Sequence, residues 1–419
     1  MEVTGVALPW GEAELRNFGE GRRMKKNIDV SSDVARIRKD MVECRRDLHA
    51  HPEMAFLEER TARVVASRLR SLGVQARTGV AKTGVVGLIS GALPGPVVAL
   101  RADMDALPIV ERDKKSYRSG TSGVMHACGH DGHVAILLGV AEVLAKRKKN
   151  MRGSVKLIFQ PAEESPGGAL PMIKAGALKN PDVDAIFGLH MWNDFGVGRL
   201  GVRPGPLLAA ADKFEVTITA KGGHGAAPHQ TADPILAAVH AIQALQALSS
   251  RLVDPLQPVV CSVGRIKGGD AFNVIPNKVE FAGTIRSFDP KLRPKLPKMV
   301  RDLVGNAVHG LGADFEMNYT MYYPATINDV EMTKVVDGVA EGLVGAGRVD
   351  RNVQTLGGED MSYFLNEVPG CFFFLGCRNE KKGLCAPHHS DRFDFDEEAL
   401  PIGAEMLLRT VESYLGSSK

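Results

Sequence analysis

Five apolar runs limit what this chain can fold into. They are VVGLIS (85–90), VVALRADMD (97–105), SVKLIFQ (154–160), AIFGLH (185–190) and CFFFLG (371–376). Strands this uniformly apolar are buried on both faces, so helices must cover the sheet. Helical patterns intervene at 133–147 and 168–177. Two more precede the first strand. One starts near Ser32, read as its N-cap, and stops at His51-Pro52; the other, LEERTARVVASRLRSLG, ends at Gly73 as a C-cap. His49 and His51 fall at the first helix's end and read as structural. Strands alternating with helices predict an α/β fold.

Reactive side chains gather at the far ends of these strands. Asp103 and Asp105 follow VVALR, Glu163 and Glu164 follow SVKLIFQ, and His190 ends AIFGL. In open α/β sheets, ligands bind outside the carboxyl ends of the strands. The stretch TSGVMHACGHDGHV (121–134) adds His126, Cys128, His130 and His133, with Asp131 among them, on the turn into a helix. APHHSDRFDFDEE adds His388 or His389.

Cys128, His130, Glu164, His190 and one of His388/His389 combine thiolate, carboxylate and imidazole. That set suits zinc or another borderline divalent ion better than magnesium or calcium. It also exceeds what one tetrahedral ion needs, so two ions about 3.5–4 Å apart are expected. Adjacent Glu163 and Glu164 can divide the labour: one carboxylate binds metal and the other serves as general base. The base takes a proton from metal-activated water and returns it to a leaving nitrogen. Other chemistries lack support. There is no GxSxG, no Walker A and no dinucleotide fingerprint. A Cys128 nucleophile with His130 as base would leave Glu163, Glu164, His190 and His389 without a task.

Residues 212–322 depart from this pattern. DKFEVTITA, ADPILAAVHAIQALQAL, PVVCSVGRIKG, NKVEFAGTIRSFD, KLPKMVRDLVGNAVHG and DFEMNYTMYY read as β-α-β-β-α-β, a ferredoxin-like unit. It is expected to be an insert, giving a discontinuous catalytic domain (32–211 and 323–419), an inserted domain (212–322) and an N-terminal extension (1–31). The insert carries His224 and His229 in KGGHGAAPH, Asn273 in a Gly-rich link, and Arg286 at a strand end. Arginine there suits a carboxylate, gripped by two parallel hydrogen bonds.

Composition narrows the partners. A net charge of +3 gives no reason to expect nucleic acid or an anionic membrane. No run approaches the roughly 18 apolar residues of a membrane helix. Six scattered cysteines do not form a disulfide framework and favour a reducing compartment. The N-terminus has no signal pattern, and Arg22, Arg23, Lys25 and Lys26 read as a solvated tail, so a cytoplasmic location is expected.

Ten motifs occur in order: RRDLHAHPE, KTGVVG, LRADMDALP, MHACGHDGH, LIFQPAEE, GLHMW, KGGHGAAPH, GGDAFNVIP, GTIRSFD and GGEDMSYF. Over roughly residues 33–415 the chain resembles the metallopeptidase family of aminoacylases and carboxypeptidases. Within it, the likeness is greatest to the amidohydrolase subgroup of hippurate hydrolases, N-acyl-amino-acid deacylases and auxin-amino-acid conjugate hydrolases. The resemblance implies a zinc-peptidase-like catalytic domain, an inserted dimerisation or lid domain, and a homodimer. It implies Cys128, His130, Glu164, His190 and His389 as ligands of two divalent ions per subunit (Zn, Mn or Co). His389 is preferred to His388 because it precedes Ser-Asp-Arg-Phe. Glu163 matches the general base and Asp105 a residue that orients a ligand or that base. Asp103 stands where other branches place a metal-binding His and is left out of the ligand set.

The resemblance further implies that His224 reaches the partner subunit's active site and stabilises the developing oxyanion. Asn273 and Arg286 would hold the substrate carboxylate, with His229 and Gly358 completing the substrate-binding set. Asp391 departs from the family's usual Pro and affects only local loop shape. The expected activity is hydrolysis of a small-molecule N-acyl amino acid to a carboxylic acid and a free amino acid. Two other readings use the same residues: a dipeptidase or carboxypeptidase, and a binding protein without catalysis. His126 and His133 are expected in supporting roles.

Overall fold

A computed structural model describes residues 28–417. The basic cluster Arg22–Lys26 and nearly all of the 1–31 extension lie outside the described residues. In chain order the elements begin with α1 (Ser32–Ala50), α2 (Glu59–Ser71), β1 (Gln75–Val80), β2 (Gly84–Ser90), β3 (Leu93–Asp103) and α3 (His130–Arg147). Next come β4 (Arg152–Gln160), α4 (Ala169–Lys174), β5 (Ala185–Gly196), β6 (Leu200–Gly201), β7 (Gly205–Leu208), β8 (Ala210–Thr219) and β9 (Gly223–His224). They continue with α5 (Pro234–Leu245), β10 (Val259–Gly268), β11 (Val274–Ile275), β12 (Lys278–Ser287), α6 (Leu296–His309), β13 (Asp314–Met321) and β14 (Thr326–Asn328). Then follow α7 (Val330–Val344), β15 (Val349–Asp350), α8 (Met361–Glu367), β16 (Gly370–Arg378) and α9 (Ala399–Ser417).

The eight-stranded sheet has the order β1-β2-β4-β3-β5-β16-β6-β15. Its centre, β4-β3-β5-β16, is parallel. Successive residues on these strands enter opposite cores. Val98 and Leu100 face one with Cys371 and Phe373, and α1, α2, α3, α7 and α9 cover it. Ala99 faces the other with Phe372 and Phe374, beneath α4 and α8. The uninterrupted apolar runs are the sequence consequence of burial on both sides. Where α1 crosses α3, a Cβ on Gly139 would come 2.8 Å from Met41 Sδ, so glycine sets the closeness of that packing.

The first helix begins differently from expectation. Ser31, not Ser32, is the N-cap, accepting from the Val34 amide. Ser31 has extended backbone angles, and its amide and hydroxyl both donate to Glu405 of α9 (2.9 and 2.8 Å). That long-range tie selects between adjacent serines. Gly73 closes α2 as expected: its φ is +68°, and the Val74 amide donates to Leu69 O.

Elements between Ala210 and Met321 form a second, fully antiparallel sheet of order β10-β12-β8-β13. One face packs on α5 and α6 around Phe214, Val216, Phe281 and Val304. The short ribbon β9–β11 pairs His224 with Val274. Among the described residues, no helix is long and apolar enough to cross a membrane.

One buried cation ties the first core to the catalytic rim. Arg45 of α1, with a side chain 0% exposed, donates to Asp131 of α3 (2.9 Å), Asp394 and Glu397. Burial alone would raise the Asp394 pKa, but Arg45 and Lys115 hold it at about 2. An unfolded Asp titrates near 4, so this stability is present above about pH 4 and lost as pH falls towards 2. Arg45→Ala should cost about 3–5 kcal/mol, because three carboxylates lose their buried cation. It should also flatten the acid limb of a plot of unfolding free energy against pH, measured by denaturant titration.

Candidate active site

The carboxyl ends of β3, β4 and β5 meet the N-terminus of α3 and the 386–391 loop around a cavity of about 300 Å³. Cys128, Glu163, Glu164, His190, His388 and His389 line one side, and Arg286, Tyr323 and Gly358 contribute to the other. Chain geometry produces this convergence. Gly129, at φ +92°, turns Cys128 inward just before α3 begins at His130. The turn after β4 puts Ala162 at φ +56° before the Glu163-Glu164 pair. His389 has φ +64°, and its amide donates to Ala127 O at 2.8 Å, drawing the loop onto the Cys128 segment.

Neighbouring groups hold the candidate ligands in part. His130 Nδ1 is 2.9 Å from Asp105 O, leaving Nε2 buried without a hydrogen-bond partner. His190 donates from Nδ1 to Met191 O at 2.6 Å, leaving Nε2 3.5 Å from Cys128 Sγ. His389 Nε2 lies 3.1 Å from Glu164 Oε1, which has no partner in hydrogen-bond geometry. Donor atoms of Cys128, His130 and His190 lie within 4.8 Å of one another, as do those of Cys128, Glu164 and His389. Atoms sharing a tetrahedral ion at zinc distances lie roughly 3–4 Å apart. The two groups share Cys128, and together these residues would fit a two-ion site. Burial, followed by Glu164 and Glu163, pushes the Cys128 thiol well above its ordinary pKa. A thiolate there needs a cation beside it. These properties suit a metal ligand better than a free nucleophile.

A third grouping, Asp103, His130 and His133, lies deeper. His133 is already committed: Nδ1 is 2.5 Å from Asp103 Oδ1, and Nε2 accepts from the Met191 amide at 2.8 Å. Its role is support. Asp103 braces the cage from behind, 3.7 Å from His130 Nε2. His126 is buried with both nitrogens unpartnered, and its pKa falls to about 4 through burial. His388 packs on Trp192 and Phe393 and accepts from the Asn193 amide through Nε2, which leaves that nitrogen no lone pair for a metal. His49 contacts Asp131 and Glu111, and His51 contacts Asp47 O at the end of α1; neither lines the cavity.

The two glutamates differ. Burial raises both carboxyls, but His389 and His130 bring Glu164 below its ordinary value. Glu163 goes well above, through burial and then the Glu359, Glu164 and Asp360 carboxylates. Asp105 holds the pair's backbone, accepting the Glu163 amide on Oδ1 and the Glu164 amide on Oδ2, each at 2.9 Å.

Sequence reasoning missed the network behind Glu163. Arg101 is fully buried and donates to Asp103 (2.7 Å), Gln160 (2.9 Å), Glu359 (2.9 Å) and Asp360 (3.0 Å). The only sequence signals were the Arg in LRADMDALP and the acidic pair in GGEDMSYF. Tyr323 and Trp192 were also missed as pocket walls. In contrast, His224, His229 and Asn273 are exposed on or beside the β9–β11 ribbon and do not line this chain's cavity.

The profile of Peptidase family M20/M25/M40 matches residues 99–413. This chain belongs to that family. Among its relatives, Thermostable carboxypeptidase 1 of Saccharolobus solfataricus is 43% identical, over 90% of this chain and 95% of its own length. IAA-amino acid hydrolase ILR1-like 4 of Arabidopsis thaliana is 40% identical over 90% of this chain and 86% of its own. Bacillus subtilis YXEP protein, a dinuclear metal binding peptidase of the M20 family, superposes with a TM-score of 0.80 at 34% identity. That match covers 91% of this chain and 99% of the other. This M20 chain is an enzyme of a metal-dependent hydrolase family, and the groups above are its metal-binding candidates.

Asp105→Asn would set an amide donor against one of two buried N–H groups. The loss should be about 1–3 kcal/mol of unfolding free energy, measured by urea titration of the metal-free protein.

Proposed function

We propose that this chain is a metal-dependent amidohydrolase that cleaves N-acyl amino acids to a carboxylic acid and a free amino acid. The observation that carries the reading is a Cys128-centred donor cage that shares one cavity with Glu163 and Arg286. Cys128, His130, Glu164, His190 and His389 would hold two divalent ions, Zn, Mn or Co. Such ions supply Lewis-acid polarisation of a carbonyl and a lowered pKa for water. Glu163 takes the proton of the attacking water and delivers it to the leaving nitrogen. Asp105 fixes the backbone from which Glu163 and Glu164 project. Arg286 receives the substrate carboxylate, with Asn273, His229 and Gly358 completing the substrate-binding set.

This reading assigns catalysis to residues 32–211 and 323–419, and closure and dimerisation to 212–322. The separate apolar clusters of the two sheets support that division. It also requires a homodimer in which His224 of the partner subunit polarises the scissile carbonyl. Exposed Val274, paired with His224, and exposed Phe272 in the adjoining link support a covered surface there. The six unbridged cysteines support a reducing, cytoplasmic setting.

A carboxypeptidase is the second reading, favoured by the name of the 43% identical relative. Both reactions cut the amide on the nitrogen of an amino acid whose carboxylate is free, so Arg286 serves either.

The reading is tested by supplying metal-stripped protein with Zn, Mn or Co and assaying acetyl-, benzoyl- and indole-acetyl-amino acids against peptides. Metal-dependent release of amino acid from the acyl substrates is expected, while turnover of peptides alone would favour the carboxypeptidase. Glu163→Gln should abolish that release and retain metal. Mixing inactive His224→Ala and Glu163→Gln proteins should recover activity, because a mixed dimer assembles one intact site. No recovery after subunit exchange would argue against His224 acting across the interface.

A further inference from the structure

The turn that carries Glu163 is held almost entirely by side chains from elsewhere. Ala162 sits at φ +56°, a conformation costly for a residue with a Cβ. Its amide donates to Glu58 Oε1 at 2.9 Å. Glu58 precedes α2 and is 0% exposed. Its Oε1 also accepts the Phe56 amide (3.0 Å), and its Oε2 accepts the Thr83 hydroxyl (2.6 Å). On the turn's other side, Tyr323 donates its hydroxyl to Glu163 O at 2.7 Å. Tyr323 lies between β13 and β14, where the chain leaves the second sheet, and its own carbonyl accepts the Ala211 amide.

We propose that Glu58 and Tyr323 are positioning residues for Glu163, clamping the 162–163 backbone from opposite sides. The proposal rests on the amidohydrolase reading, in which Glu163 moves the proton. Asp105 holds the amides of both glutamates; Glu58 and Tyr323 act only on the part of the turn before Glu164. Loss of either clamp lets the Ala162 backbone relax and swings the Glu163 carboxylate, while Glu164 keeps its amide anchor. A displacement near 1 Å costs roughly 10²-fold in rate. Gln at position 58 preserves the clamp: its carbonyl accepts the Ala162 and Phe56 amides, and its amide donates to Thr83 Oγ1.

The test uses the full chain with metal content and KM measured beside kcat. Glu58→Ala should lower kcat roughly 10²-fold with KM and metal content near wild type. Glu58→Gln should restore kcat to within a few-fold of wild type. Tyr323→Phe, which keeps the ring, should lower kcat without unfolding risk. Hydrogen exchange supplies a readout free of turnover. The Ala162 amide should lose protection in Glu58→Ala and regain it in Glu58→Gln. Equal kcat in Glu58→Ala and wild type, failure of Gln to rescue, or a loss explained by missing metal would each overturn the clamp. If Glu58→Ala does not fold, Tyr323→Phe and Glu58→Gln still decide. Wild-type protein inactive on every acyl substrate would instead count against the amidohydrolase reading, and the exchange data would judge the clamp alone.

Discussion

Arg101 makes it possible for this sheet to end in so many carboxylates. Strands β3 and β4 deliver Asp103 and the Glu163-Glu164 turn to one edge, and the 359–360 segment adds two more acids. Packed together in a dry interior, these groups repel, and their charges are costly to bury. The guanidinium of Arg101 reaches Asp103, Glu359 and Asp360 at once, with Gln160 completing its shell. Even so, burial leaves Glu359 at about 8 and Asp360 at about 6. Glu359 therefore holds its proton at neutral pH, and Arg101 offsets only part of the cost of charging these buried acids. A divalent cation in the neighbouring cage of thiol, imidazole and carboxylate would favour their charged forms.

Rigidity follows from the same arrangement. Asp103 links Arg101 to His133 and lies close to His130 Nε2. The Met191 amide caps His133, and the Met191 carbonyl fixes the His190 tautomer. Ligand atoms are therefore aimed before any ion arrives, which lowers the ordering cost of binding. Carbonyls, amides and carboxylates from separate strands do this aiming, and a two-sided apolar core keeps those strands in place.

Much of this was legible in the sequence for one reason: buried parallel strands are near-continuous apolar runs, and their ends are chemically distinct. VVALRADMD, SVKLIFQPAEE and AIFGLH thus announced both the sheet and the rim. The ferredoxin-like order of the second sheet was legible from its alternation of helical and strand periods. What stayed hidden depends on contacts across long separations. Ser31 rather than Ser32 caps α1 because Glu405, far along the chain, selects it. Arg101 sits in an ordinary strand position, and nothing local reveals that it meets Glu359. Glu58 and Glu59 are indistinguishable in a helical pattern, yet only Glu58 turns inward onto the turn that carries Glu163. The exposed placement of His224 and Asn273, away from their own chain's cavity, depends on where the insert lies relative to the main sheet, which no local pattern encodes.

Cys128 belongs to both donor groups, so both proposed metal positions would depend on it. Metal stoichiometry after extensive dialysis tests it most directly, measured by elemental analysis on wild-type, His190→Ala and Cys128→Ala proteins that remain folded. Two ions per chain are expected in wild type, one in His190→Ala and a near-complete loss in Cys128→Ala. Two ions retained without Cys128, or a single ion in wild type at saturation, would contradict it.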